Sequence, residues 1–224
     1  MRPVIFILLM LTAASQQLKG QEFSVMFYNI ENLFDTADDT TKDDDEFLPG
    51  GSRRWTERRY WQKINALARV IVAAGEWELP ALIGLCEVEN EKVVSDLAFR
   101  SIISGAGYKV IHRDSPDPRG IDLALLYRLD LIRIVDSRSW IPEQQEGGIY
   151  NSRNLLYAKT VIGNDTVHLI LCHWPSRRGG TLAAGDLRET IAKLVRVKTD
   201  SLQACSGDTA SIIVMGDFLS LIHI

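Results

Sequence analysis

Cysteine is scarce in this chain, and the little there is follows no pattern. The three cysteines, Cys86, Cys172 and Cys205, are an odd number without motif spacing, which excludes a disulfide framework. Cys86 and Cys172 fall in apolar runs that read as strands, so buried thiols are expected, with a bond between them left open for an oxidising compartment. An excess of basic charge is also missing. Lys and Arg number 25 against 29 Asp and Glu, a formal net charge of −4, so no global basic field draws in nucleic acid or an anionic membrane. Local phosphate contacts stay open. No Gly-x-Ser-x-Gly elbow occurs, and Gly105-Ala106-Gly107 lacks the third glycine of a dinucleotide fingerprint, so neither a serine hydrolase nor a nucleotide-cofactor fold is supported. The acidic run Asp38-Asp39 and Asp43-Asp44-Asp45-Glu46 lacks the glycine spacing of a calcium loop and reads as a solvated loop. There is no internal repeat and no linker. What remains, 224 residues with 46% hydrophobic and 24% charged side chains, fits one globular domain with a real core.

The N-terminus has the pattern of a secretory leader. Arg2 supplies the positive start, and Val4 to Ala14 is apolar but too short to span a bilayer. Ala13 and Ser15 suit cleavage after Ser15, and Gly20 offers a second site. Residues 1–20 are therefore expected to be a signal peptide, the mature chain to be exported to the periplasm or the extracellular space, and no stable membrane span to remain. No cysteine follows the apolar run, so a lipoprotein is not supported.

Beyond the leader, Phe23 to Ile30 reads as a strand and Asn32 to Gly51 as a long polar loop. Trp61, Ile64, Ala68, Ile71 and Ala74 recur at helical spacing, which predicts a helix from Thr56 to Ala74 with Thr56 as N-cap. Ala81 to Val88 is a continuous apolar run, as expected of a strand covered on both faces. A helix over Glu91 to Ser104 follows, then strands at Gly107 to His112, Ile121 to Tyr127, Leu131 to Trp140, Leu155 to Ile162 and Val167 to Cys172. Gly163-Asn164-Asp165 signals a hairpin. Leu187, Ile191, Leu194, Val195 and Leu202 mark a last long helix, and Ser211 to Met215 a last strand. Helices separated by runs of several strands point to a layered α/β sandwich rather than a strict βαβ alternation.

Polar residues gather where the apolar strands end: Asn29, Glu87, His173 and Asp217. Open α/β sheets bind ligands at strand ends, so these four could converge on one crevice. Asp122 could join them or be a hydrogen-bonded structural carboxylate, and Arg177 could grip phosphate or simply be solvated.

Six segments in order resemble one known family. Tyr28-Asn29-Ile30-Glu31-Asn32 resembles the first motif of the endonuclease/exonuclease/phosphatase superfamily, and Cys86-Glu87-Val88-Glu89-Asn90 its metal-binding motif. Arg119-Gly120-Ile121-Asp122 with the strand after it, Ser152-Arg153, His173-Trp174-Pro175-Ser176-Arg177 and Gly216-Asp217-Phe218 resemble four more. The likeness runs from Phe23 to Phe218 within a domain assigned to residues 21–218.

The resemblance implies two packed mixed β-sheets flanked by helices, and a phosphodiester hydrolase, most similar to a nuclease, that uses Mg²⁺ or Mn²⁺ as cofactor. It implies Glu87 as the main metal ligand with Asn29 beside it, Arg153 and Arg177 on substrate phosphate, and His173 and Asp217 as catalytic groups, with Asn29 supporting them. The substrate class it implies is nucleic acid, a phosphorylated small molecule or a lipid headgroup, and the complete protein would be a monomer. A phospholipid or inositol-phosphate phosphatase of the same superfamily, and a non-catalytic phosphate- or nucleic-acid-binding module on the same fold, are the alternatives.

Position 219 departs from the pattern: Leu219 stands where the family motif has asparagine, and the family's closing Ser-Asp-His segment has no counterpart. Leu219 to Ile224 resemble the translation of an adapter used in sequencing-library preparation and are set apart as a non-native tail. The domain is thus expected to be incomplete at its C-terminus, and the 224-residue chain to be a poor catalyst or an inert one.

Overall fold

The computed structural model describes residues 23–144, 147–175, 181–206 and 210–218. The leader over 1–20, Arg177 and the tail over 219–224 lie outside the described residues. Among the described residues, eight strands and three α-helices run in the order β1 (Val25–Leu33), α1 (Glu57–Ala74), β2 (Leu82–Val88), α2 (Glu91–Arg100), β3 (Tyr108–Arg113), β4 (Asp122–Arg128), β5 (Ile132–Trp140), β6 (Leu155–Ile162), β7 (Asp165–His173), α3 (Thr181–Ser206) and β8 (Ser211–Asp217). The strands form two mixed four-stranded sheets, ordered β1-β2-β4-β3 and β5-β6-β7-β8. The first pair of one sheet (β1 with β2) and the last pair of the other (β7 with β8) are parallel, and the remaining pairs are antiparallel.

Strand alternation explains the layering. In β2, Leu82 and Cys86 face the second sheet while Ile83, Leu85 and Val88 face α1 and α2, all of them buried. A strand covered on both faces has to be apolar throughout. The α1 stripe Tyr60, Ile64, Leu67, Ala68 and Ile71 is buried against the outer face of the first sheet. Each large side chain so buried contributes about 1.5–3 kcal/mol. Ile191, with Leu187, Leu194 and Leu202, does the same for α3 on the outer face of the second sheet. The result is a four-layer sandwich: helices, sheet, sheet, helix. A Cβ on Gly84 would come within 3.0–3.1 Å of Phe27, Leu171 and Met215, which shows how closely the two sheets approach there.

Two local expectations are modified, and the expected buried thiols are found. Thr56 does precede α1, yet its side chain makes no cap bond, and its carbonyl simply accepts Tyr60 N–H at 2.9 Å. The helix α2 stops at Arg100 instead of Ser104: the backbone turns extended at Ser101 (ψ −173°), whose Oγ donates to Leu97 O at 2.6 Å. Cys86 and Cys172 are both free and buried, and each lies on the face of its strand that the other does not share. The hairpin at Gly163-Asn164 forms as read, joining Ile162 to Asp165 with Gly163 at φ 59°. No helix among the described residues is long and apolar enough to cross a membrane.

Candidate active site

Asn29, Glu87, His173 and Asp217 meet at the strand ends where the two sheets face each other. Three of them arrive there by alternation alone. Asn29 follows Val25 and Phe27 on the inner face of β1, His173 follows Leu169 and Leu171 on β7, and Asp217 follows Ile213 and Met215 on β8. His173 and Asp217 are register partners on the parallel pair.

Glu87 is the exception. Ile83 and Leu85 face the helices, so an unbroken strand would turn Glu87 to the same side. Instead the β2–β4 register shifts between Cys86 and Val88, and Glu87 takes φ 63°, a conformation unfavourable for a residue with a side chain. This bulge carries the carboxylate round to Asn29 while Val88 returns to the core. Bulges that re-aim one side chain are typical of active sites.

Asn29 joins the cluster. Its Nδ2 donates to Glu87 Oε1 at 3.1 Å and to Asp217 Oδ2 at 2.9 Å, and its Oδ1 accepts Glu31 N–H at 2.8 Å. The amide orientation is therefore fixed by three bonds. Glu31 and Asn32 are themselves at positive φ, and Lys63 of α1 holds both of their carbonyls. One amide thus bridges carboxylates from two different sheets.

His173 is 4% exposed, with Nε2 3.6 Å from Glu87 Oε1. Burial, and after it the Arg153 guanidinium, push its pKa down to about 3, so the imidazole is neutral at ordinary pH. Arg153 is just as buried. It donates from Nη1 to Asp117 at 3.1 Å and from Nη2 to Trp174 O at 2.8 Å. Burial alone would raise the Asp117 carboxyl, but hydrogen bonds from Arg119 and the charges of Arg119 and Arg153 outweigh it and hold Asp117 below the usual carboxylate range. Arg153 Nε, His173 Nδ1 and Trp174 Nε1 are buried without a hydrogen-bond partner. Buried polar atoms of this kind are rare.

Asp122 does not join the four. It shares the helix-side alternation of β4 with Ala124 and Leu126, is 1% exposed, and accepts Ser115 N–H at 3.0 Å and Ser115 O–H. His112 Nε2 lies 3.4 Å from its other oxygen. Two further residues lie near the site, neither of them given a role by the sequence. Arg119, about half exposed, lines a cleft of about 580 Å³ together with Asn32, Phe34, Asp45 and Arg53, and its charge reaches His173. The Arg-Gly-Ile-Asp segment marked it. Lys63, whose ammonium lies within reach of the Glu87 charge, carries no motif, and only its helical position could have suggested it.

The donor set suits a hard divalent cation. Two carboxylates gathered by one amide can give oxygen ligands, the pattern that Mg²⁺ takes together with waters and substrate phosphate. Cys86 lies close beneath, its Sγ within 4.8 Å of ligand atoms of His173 and Asp217, and burial raises its thiol pKa in the metal-free site.

A family model for the endonuclease/exonuclease/phosphatase family matches residues 24–220. The chain belongs to the endonuclease/exonuclease/phosphatase family. Members of this superfamily are hydrolases acting on phosphoesters. Similar solved structures include TDP2 from C. elegans, with 20% identity and a TM-score of 0.60 over 92% of this chain and 50% of that one. A humanised D. rerio TDP2 gives 16% and 0.56 over 89% and 67%, and a mannosyl-6-phosphatase of Bacteroides thetaiotaomicron gives 17% and 0.59 over 88% and 65%. At these identities the likeness establishes the fold. The chain spans half to two thirds of the length of these structures. No curated protein matches it.

Proposed function

We propose that this family member is an exported, divalent-metal-dependent phosphodiester hydrolase with nuclease-like chemistry, in which water attacks phosphorus at the Asn29–Glu87–His173–Asp217 cluster. The observation that carries the reading is the Asn29 amide bridging Glu87 and Asp217, two carboxylates brought from separate sheets and held by a strained bulge. A cation held by Glu87 and Asp217, Mg²⁺ or Mn²⁺, would neutralise phosphoryl oxygens and lower the pKa of bound water.

The chain's own groups supply the rest. Asn29 keeps the two carboxylates apart and oriented. Asp217 aligns the attacking water and takes its proton. His173, neutral and rigid on β7, donates one N–H to a phosphoryl oxygen, where charge builds up in the transition state. Arg153 is anchored by Asp117 and keeps its Nε for a phosphoryl oxygen, while the more exposed Arg119, with Arg177, grips the phosphate beyond the scissile bond. Export rests on the leader pattern over residues 1–20. Leu219, in place of the family's asparagine, supports weak turnover by the 224-residue chain itself.

The test compares this chain with one extended by the downstream coding sequence, on a chromogenic bis-phosphodiester, plasmid DNA, a phosphomonoester and an inositol phosphate, with Mg²⁺ or with chelator. Metal-dependent cleavage of the diester and of DNA by the extended chain supports the reading. Preference for the phosphomonoester makes the protein a phosphatase of this family, and inertness of both forms makes it a binding module.

A further inference from the structure

The acidic segment between β1 and α1 is not the solvated loop that its sequence suggests. Asp38 and Asp45 are exposed, but Asp44 between them is 1% exposed. Two sets of contacts bury it. Phe47, in the 3-10 turn Asp45–Phe47, stacks on Phe34 at 4.0 Å between centroids and meets Trp55 edge-on. On the other side Asp43 N–H donates to Pro118 O at 2.8 Å. The loop is thereby closed onto the body of the protein with a carboxylate inside.

That carboxylate is half satisfied. Asp44 Oδ2 accepts Asp39 N–H at 3.1 Å, whereas Oδ1 is buried and has no hydrogen-bond partner. The side chain does not cap the 3-10 turn that follows. Nor do the loop's cations reach it. Lys42 donates to Ser115 O at 3.0 Å and to Asp117 O at 3.1 Å, and Arg53 pairs with Glu46 at 3.0 Å. A buried carboxylate oxygen without a donor or a counter-charge is costly. Carboxylate oxygens of Asp38, Asp44 and Asp45 all lie within 4.8 Å of one another, no farther apart than opposite ligands around an ion with bonds of about 2.4 Å.

We propose that Asp38, Asp44 and Asp45 form a structural Ca²⁺ site, separate from the strand-end cluster, that locks the β1–α1 loop along the Arg119-lined cleft. The donors are oxygen only, which rules against ions that prefer nitrogen or sulfur. Three carboxylates on an adaptable loop, completed by backbone carbonyls and water, suit Ca²⁺; Mg²⁺ keeps several waters and uses one or two carboxylates. Asp45 also lines the cleft beside Arg119, so the ion would set the position of that wall.

The test uses the 224-residue chain in a Glu87→Gln background, so that the strand-end cluster takes no part. Equilibrium dialysis should count one Ca²⁺ per chain. Saturating Ca²⁺, about a hundredfold above Kd, should raise Tm by on the order of 5–10 °C, with a smaller effect from equimolar Mg²⁺. Adding Asp38→Asn and Asp45→Asn, both at exposed positions, should abolish binding and the shift while leaving the metal-free Tm unchanged or higher. Asp44→Asn should raise the metal-free Tm and lose the response. Absence of Ca²⁺ binding, equal stabilisation by Mg²⁺, or binding that survives the double substitution would overturn the proposal.

Discussion

Gly216 is the position where one added methyl group tests the architecture of the site most sharply. A Cβ there would lie 2.2 Å from the Cys172 carbonyl oxygen and 2.9 Å from both its carbon and Cβ, against 3.4 Å or more in ordinary contact. The obstacle is backbone of the paired strand, Cys172 being the register partner of Gly216, and it cannot rotate away. Gly216→Ala must therefore push β8 from β7 by roughly an ångström, an overpacking that costs about 1–3 kcal/mol. For a chain of this size that lowers Tm by roughly 2–12 °C. The shift falls next to Asp217 and lengthens its 2.9 Å bond to Asn29, so Mn²⁺ affinity should fall as well. Gly84→Ala is the control. Its Cβ would meet the ends of Phe27, Leu171 and Met215 side chains at 3.0–3.1 Å, which can give way, so it should cost less and leave metal affinity unchanged. Urea unfolding of both variants, with Mn²⁺ titration, reads the difference. A Gly216→Ala protein as stable as the parent, or a Gly84→Ala protein that is the worse of the two, would refute the close approach of β7 and β8.

Asn29→Ala should lower metal affinity and turnover by about 10–100-fold, the usual effect of losing a group that orients ligands; unchanged metal titration would remove Asn29 from that role. His173→Ala should reduce kcat far more than it raises KM, because its contact strengthens in the transition state; normal kcat with weaker binding would make it a substrate-positioning residue. His168, buried with its Nδ1 2.8 Å from Tyr157 Oη, has its pKa lowered from the ordinary 6.5, by burial first and then by Lys159. The folded state then binds fewer protons than the unfolded one, so this contribution to stability is complete above pH 6.5 and is lost as pH falls below it. Urea midpoints between pH 5 and 8 should fall less steeply in His168→Gln than in the parent, with His173, depressed to about 3, supplying the loss that remains; equal slopes in both would exclude His168 as a source.

The layers were legible because they follow from periodicity. The continuous run of β2 required cover on both faces, and the α1 stripe required a sheet to lie on. The ends of strands, where Asn29, His173 and Asp217 sit, follow from the same alternation. Glu87 was legible as a candidate, but its direction was not. Alternation turns it toward the helices, and only a bulge at positive φ, a property of the backbone rather than of composition, brings it to Asn29. The fixed posture of Arg153 was hidden for a different reason: Asp117, which anchors it, lies far away in the chain. Asp44 is the same case. Its burial depends on Phe34 stacking on Phe47 and on a bond to Pro118, so a run of acids that looks solvated in sequence contains a buried one.

Whether Glu87 is the metal-holding carboxylate of a phosphodiesterase site is decided by Glu87→Gln in the extended chain. The substitution keeps the side chain's size and the bulge while removing the charge. Hydrolysis of a bis-phosphodiester with Mg²⁺ should fall by about three orders of magnitude, roughly 4 kcal/mol of barrier, with the melting curve essentially unchanged. Chelator-sensitive turnover at the parental rate in Glu87→Gln would contradict it.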